Sequence, residues 1–216
     1  MVVEVTNVRS QLRWQPSLLD EMPDAEEPCF DAQFGNARQI ALDDTAWVEH
    51  VPSWVQGAGA LFTAILERAP WEQRRVHMYD REVDEPRLIA WYGTGPDDAS
   101  LPPVVAKMAG ALSERYGREF DGIGAACYRD GNDSVAWHGD RIPPEIVEPV
   151  VALVSLGSPR RLRMRNKAHH RDARAFPLAP GDLFAMGGTT QRTWEHSVPK
   201  VARAGPRLSL QFRHSS

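Results

Sequence analysis

The segment SVAWHGDRI, residues 134–142, places His138 and Asp140 two apart in a stretch that reads as a half-buried strand. Residues i and i+2 of a strand share a face, so one imidazole and one carboxylate project side by side. A metal site needs a third ligand, and the chain has seven histidines. His169 and His170 fall in the basic, loop-like NKAHHRDAR, His214 is close to the C-terminus, and His50 and His77 lie upstream of the strand-rich region. His196, in TWEHSVPK, lies in strand-like sequence well after the first pair. Two imidazoles and one carboxylate on one metal form the facial triad of non-haem Fe(II) oxygenases, which leaves three coordination positions open on one side. Their ligating atoms would lie within about 2 to 2.3 Å of a common point. Against this, His-x-Asp also arises by chance on ordinary surface strands.

A second group points the same way. GPRLSLQFR sets Arg207 and Arg213 six apart. Even spacing on a strand puts both on one face, with Ser209 and Gln211, and turns Leu208, Leu210 and Phe212 to the other. Such an arginine row either faces solvent or binds a carboxylate, since guanidinium forks bind carboxylates bidentately. 2-Oxoglutarate, a dicarboxylate, is the usual co-substrate of facial-triad iron enzymes. Tyr128, ten residues before His138, ends a strand and could donate its hydroxyl to the same ligand, or be an ordinary core tyrosine.

The elements that must position these residues are of two kinds. Residues 1 to about 43 read as an irregular N-terminal extension, with the acidic cluster DEMPDAEEPCFD at 20–31 as a solvated loop. Helical spacing runs over 54–68 and stops before Pro70; EPRLIAWYG, 85–93, reads as a strand; GTGPDDASLPP is a loop; 104–117 is an amphipathic helix ended by Gly117. After residue 120, short apolar runs are separated by turn signals: IGAACYR, SVAWHGD, PVVALVSLG, RLRMR, ARAFPL, DLFAMGG, TWEHSV and PRLSLQFR. Strands of four to eight residues at this spacing make a sandwich or barrel. The expected class is α+β, in one domain: an extension over 1–43, helices over 44–120 and an all-β core over 121–216.

Composition sets the bounds. At 216 residues the chain can bury a real core. Its formal net charge of -4 offers no global field for nucleic acid, so such a partner would need a local basic patch. One exists: PRRLRMRNKAHHRDAR, 159–174, carries Arg160, Arg161, Arg163, Arg165, Lys167, Arg171 and Arg174. Alternation puts Arg161, Arg163 and Arg165 on one face, for phosphate contacts or for solvent. Cys29 and Cys127 make no disulfide framework, no apolar run approaches a membrane span, and the start lacks the core of a signal peptide. A cytoplasmic monomer with no membrane partner is expected.

YRDGNDSVAWHGD, then PVVALVSLG, RTWEHSVPK and PRLSLQFR, resemble the AlkB dioxygenases, Fe(II)- and 2-oxoglutarate-dependent enzymes that demethylate nucleic acids. PRLIAWYG, 86–93, resembles their substrate-lid region, and the similarity runs from about residue 70 to 213. The resemblance implies a double-stranded β-helix, or jelly roll, with a nucleotide-recognition lid before it. It implies His138, Asp140 and His196 as iron ligands and catalytic centre. It implies Arg207 on the distal carboxylate of 2-oxoglutarate, Arg213 nearer its metal-bound end, and a hydrogen bond from Tyr128. Trp91 and Tyr92, with Tyr79, are the lid aromatics available to a substrate base, and Arg161 and Arg163 the phosphate-binding candidates. Four departures stand out: Ala126 and Ser209 where many members carry asparagine, Ile142 where many carry an acid, and no aromatic in TGPDDASLPP.

The implied reaction consumes O2 and 2-oxoglutarate, hydroxylates an N-methyl group on a base, and releases succinate, CO2 and formaldehyde. A base inside a duplex cannot reach such a site, so flipping or a single strand is implied. The missing lid aromatic and Ile142 leave open an AlkB-like oxygenase of a protein or small molecule. A non-catalytic β-sandwich binding module is the other class, distinguished by failure to bind Fe(II) or turn over 2-oxoglutarate.

Overall fold

The computed structural model describes residues 2–4, 27–78, 81–94 and 100–214. Tyr79, most of the acidic cluster and the centre of the loop after Gly93 lie outside the described residues.

Eight strands build the β core. β9 (Gly122–Tyr128), β11 (Val151–Gly157), β14 (Leu183–Gly188) and β16 (Arg207–Arg213) belong to a large sheet. β10 (Val135–His138), β12 (Arg160–Asn166), β13 (Ala173–Leu178) and β15 (Trp194–Val198) form a small one, in the order β10-β15-β12-β13. All the pairings are antiparallel. In chain order the strands pass between the two sheets, which is the double-stranded β-helix. The class is α+β.

Alternation along the large-sheet strands creates two cores. From β9 and β16, Ile123, Ala125, Cys127, Leu208, Leu210 and Phe212 face outward. They meet the apolar sides of α1 (Ala58–Arg68) and α2 (Pro103–Tyr116), including Leu61, Ile65, Val105, Met108 and Leu112. The alternate set faces the small sheet. There Ala126, Tyr128, Val151, Leu153 and Met186 pack with Leu162, Met164, Phe176, Leu178 and Val198. The helices thus brace the back of the sheet whose front carries the Arg207–Ser209–Gln211–Arg213 row.

The helices start and stop for local reasons. α1 ends at Arg68, with the Ala69 amide on the Ile65 carbonyl, ahead of Pro70. It begins four residues later than the spacing predicts because Val55–Gln56 (β5) pairs with Cys29–Phe30 (β2). α2 closes on Gly117, which sits at φ 62 and donates its amide to Ser113.

The N-terminal half departs from expectation. Region 1–43 is not wholly irregular: Val2–Glu4 (β1), β2 and Arg38–Ala41 (β3) are strands. Region 44–120 supplies Ala46–Val51 (β4), Glu72–Met78 (β6), Arg81–Asp84 (β7) and Leu88–Thr94 (β8). With these the large sheet reaches ten strands, ordered β1-β6-β8-β9-β16-β11-β14-β4-β3, with β7 on β6. The reason is edge pairing: β9 and β14 leave backbone donors and acceptors that β8 and β4 take up. A short helix, α3 (Thr190–Thr193), also interrupts what reads as strand and loop.

Candidate active site

His138 ends β10 and His196 lies on β15, and the two are direct cross-strand partners. Their ring centroids are 4.3 Å apart. Asp140 follows one glycine after His138, with Oδ2 3.8 Å from His196 Nε2. The backbone at Gly139 is tightly packed: a Cβ there would stand 2.9 Å from the Gln191 carbonyl. Gln191, from α3, accepts the Asp140 amide on Oε1 at 2.9 Å. Nδ1 of His138 lies 2.9 Å from the Ala136 carbonyl; donating there leaves Nε2 with its lone pair free. Arg213 Nη2 donates to Asp140 Oδ1 at 2.5 Å and to Gln211 Oε1 at 2.8 Å.

The electrostatics suit a cation. Burial pushes the His196 imidazole down to about 4, against the pull of the Asp140 charge, so it is neutral at pH 7. Burial would raise the Asp140 pKa, but attraction to the protonated forms of His196 and His138, the Arg213 charge and the Arg213 hydrogen bond outweigh it and hold the carboxyl below its usual range. Neutral imidazole and ionised carboxylate are the forms that ligate a divalent metal. Among the described residues, however, no three His, Cys, Asp or Glu side chains are drawn up around one point. The sequence reading of three atoms at ligand distance is corrected to this extent: Arg213 engages Oδ1, while Oδ2 is 3.8 Å from His196 Nε2. Two ligands at about 2.1 Å from one ion lie at most about 4.2 Å apart, so that pair is still within span. Two imidazoles and one carboxylate are the donor types that a non-haem iron takes.

One cavity, of about 180 Å³, takes in all three residues together with Tyr128, Arg207 and Arg213. Arg207 is 1% exposed. Its Nε donates to Ser155 Oγ at 3.1 Å, and its Cζ lies 5.3 Å from the centre of the Tyr128 ring. Its Nη1 is buried with no hydrogen-bond partner. Burial pushes the Arg207 pKa down from its usual value, with the nearby Arg160 charge acting the same way and Tyr128 opposing. A buried guanidinium with an idle donor has the charge and the free hydrogen bond that a carboxylate would take up. Ala126 and Ser209, the two departures from asparagine, are themselves cross-strand partners in the same wall.

Of the two lid aromatics, the structure brings one to the cavity. Trp91 is 51% exposed and lines it. Its indole lies over Gly122 and Gly124, where an added Cβ would approach ring carbons to 3.2 and 3.1 Å. Tyr92 is the next residue along β8, so it points to the helix side and is buried in that core. Its assignment to the substrate is corrected for that reason. Alternation also brings Arg87 and Ile89 to the cavity, with Arg74 from β6. Arg87 carries a buried Nε with no partner. These were missed, although PRLIAWYG itself holds the signal: Arg87, Ile89 and Trp91 share a face. Ile142 packs at the edge of the inter-sheet core.

The basic run does not reach the cavity. Met164, opposite His196, points inward, which turns Arg161, Arg163 and Arg165 to the outer face of the small sheet. Arg161 and Arg163, the expected phosphate contacts, thus lie outside the cavity on the outer face of the small sheet. Arg160 is buried, donating to the carbonyls of Asp130, Asp133 and Pro199. Arg165 pairs with Glu195, and Lys167 and Arg174 donate to backbone carbonyls.

Residues 53–213 match the family model of the 2OG-Fe(II) oxygenase superfamily. The chain is similar to the alpha-ketoglutarate-dependent dioxygenase alkB homolog 3 of Bos taurus, 33% identical over 174 residues, covering 72% of this chain and 61% of that protein. It is similar to the DNA oxidative demethylase ALKBH2 of Arabidopsis thaliana, 26% identical over 195 residues, covering 73% and 62%. The chain thus spans about three fifths of the length of these curated relatives. In backbone it is similar to a 2OG-Fe(II) oxygenase family oxidoreductase from Burkholderia pseudomallei, with TM-score 0.54, 15% identity, and 78% and 84% of the two chains covered. The match over most of the chain, together with these relatives, places it: the chain belongs to the 2OG-Fe(II) oxygenase superfamily and is a member of its AlkB family.

Proposed function

We propose that this chain is an Fe(II)- and 2-oxoglutarate-dependent dioxygenase that oxidatively demethylates alkylated bases in nucleic acid, releasing succinate, CO2 and formaldehyde. The observation that carries the reading is the pairing, in one cavity, of a His138–Asp140–His196 donor set with the fully buried, idle Nη1 of Arg207. Nucleic acid as the substrate is supported by the Arabidopsis relative, a DNA oxidative demethylase.

His138, Asp140 and His196 would hold the iron, and Arg207 with Tyr128 the distal carboxylate of 2-oxoglutarate. Bound together, the metal and co-substrate supply the activation of O2 that C–H hydroxylation requires. The protein's own part is orientation and charge. Ser155 fixes one edge of the Arg207 fork and leaves the other for a carboxylate. Arg213 keeps Asp140 ionised and holds one of its oxygens, beside the space open to the metal-bound end of the co-substrate. Gln191 fixes the backbone of Asp140. Trp91 offers an exposed aromatic face at the cavity for a flipped or single-stranded base.

No helix of the described residues is long and apolar enough to cross a membrane. Both cysteines are free thiols, which suits a reduced cytoplasm, and the two cores share one sheet, which suits a single-domain monomer. The test is substrate-stimulated succinate release. With Fe(II), ascorbate and 2-oxoglutarate, an N-methylated single-stranded oligonucleotide should raise succinate formation well above the same oligonucleotide without the methyl group. Equal rates would remove alkylated nucleic acid as the substrate.

A further inference from the structure

We propose that the outer face of the small sheet, centred on Arg161 and Arg163, binds the sugar–phosphate backbone of the substrate strand outside the cavity. This rests on the nucleic-acid reading above.

Most cations of the 159–174 run are spent within the molecule; Arg161 and Arg163 are exposed, and among the described residues neither is paired with a carboxylate. Their partners on β13 are Pro177 and Ala175, and Arg163 faces Ser197 on β15, so the residues paired directly with them are short. The two are one strand repeat apart, about 6.6 Å, a step close to the phosphate spacing of an extended nucleic-acid strand. A guanidinium fork matches a phosphate.

The face is also joined to the active site. β10 is the edge strand of the small sheet, and its register on β15 shifts between Val135 and His138, so that both of these line the cavity while Trp137 lies on the arginine face. Trp137 reaches across β15 to the arginine row, its ring centre 4.2 Å from Arg165 Cζ and 5.7 Å from Arg163 Cζ. Its indole thereby supports the arginines at one end of the row. A strand that delivers a base past His138 therefore crosses the β10 edge and continues onto Trp137 and the arginines. The salt bridge between Arg165 and Glu195 neutralises the acid on that path. In a chain of net charge -4 this is a local cationic face at the margin of an otherwise acidic molecule, complementary to a polyanion.

The test uses the full chain and two double variants, Arg161→Glu/Arg163→Glu and Arg161→Gln/Arg163→Gln, at exposed positions where folding tolerates change. Binding of an unmethylated single-stranded 20-mer is followed from low to high salt, and methyl removal is compared between a 20-mer and a trinucleotide. The salt slope should flatten by about 1.4 in both variants, roughly 0.7 for each phosphate released. The preference for the 20-mer over the trinucleotide should fall about tenfold. If the wild-type chain neither binds the 20-mer nor removes its methyl group, the nucleic-acid reading itself fails. If the wild type does both and the variants keep its slope and length preference, this surface alone is refuted. Polyglutamate competing as well as an oligonucleotide of equal charge would overturn the assignment to nucleic acid in favour of an acidic protein.

Discussion

His138 and His196 face each other across paired strands with ring centroids 4.3 Å apart, and Asp140 reaches the same space from the segment that follows. A centre built on a strand pair depends on every member. His138→Ala or His196→Ala should lower Fe(II) affinity by more than about a hundredfold and stop succinate formation. Gln191→Leu, which frees the Asp140 amide without touching the donors, should cost about 10- to 100-fold in metal affinity, as loss of outer support does elsewhere. Metal titration of the three variants checks the order; a Gln191→Leu variant as tight as the wild type would show that α3 does not position the site.

Arg207→Ala should raise the 2-oxoglutarate requirement by roughly 30-fold or more, since loss of one side of a desolvated charge pair costs about 2 to 5 kcal/mol. Arg207→Lys should recover little, because an ammonium cannot reproduce the fork held between Ser155 and Tyr128. Fe(II) affinity should change little in either. Titration with 2-oxoglutarate while following succinate decides it, and a near-normal Arg207→Ala curve would move the co-substrate elsewhere.

Trp91→Ala should raise the KM for a methylated oligonucleotide by roughly five- to 150-fold, the range of about 1 to 3 kcal/mol for one base–aromatic stack. Trp91→Phe should restore part of it. Steady-state kinetics with both variants provide the check; an unchanged KM would make the exposed indole a bystander.

Glu49 ties β4 to α2: it accepts from Arg115 at 2.8 and 2.7 Å and from the Tyr116 hydroxyl at 2.6 Å. Burial alone would raise its pKa, but the Arg115 and Tyr116 hydrogen bonds and the Arg115 charge hold it below the ordinary 4.5. Protonation therefore favours the unfolded chain. The stabilisation is complete above pH 4.5 and is lost as pH falls through the lower, folded-state value. Glu49→Gln should cost about 1.5 to 3 kcal/mol at pH 7 and less in acid. Tm measured from pH 7 to 3 should show the two proteins converging; parallel curves would mean the carboxylate is not part of the stabilising network.

How much of this was legible depends on what alternation can decide. GPRLSLQFR yields its two faces outright, because this strand lies between helices and cavity, and the apolar set can only go to the helices. The same rule applied to PRLIAWYG separates Trp91 from Tyr92 and brings in Arg87; reading Trp91 and Tyr92 as one aromatic pair ignored that neighbours diverge. For RLRMR, alternation groups Arg161 with Arg163 but does not say which face of the small sheet is inner. That is set by Met164 packing opposite His196, a tertiary fact. AWVEHV becomes a strand because β14 offers it an edge, and RQIA because AWVEHV then offers the next, and no local signal encodes that. The precise separation of the triad donors was beyond reach too, since it depends on the Arg213 contact with Asp140 across the two sheets.

The central claim is removal of a methyl group from a base by this cavity. Mass spectrometry of N-methylated single- and double-stranded oligonucleotides, incubated with the chain, Fe(II), 2-oxoglutarate and ascorbate, measures it directly. The expected result is loss of one methyl group per formaldehyde and succinate formed, faster on the single strand, and no loss with His138→Ala. Oligonucleotides that keep their methyl groups while the wild-type chain converts 2-oxoglutarate to succinate would contradict it.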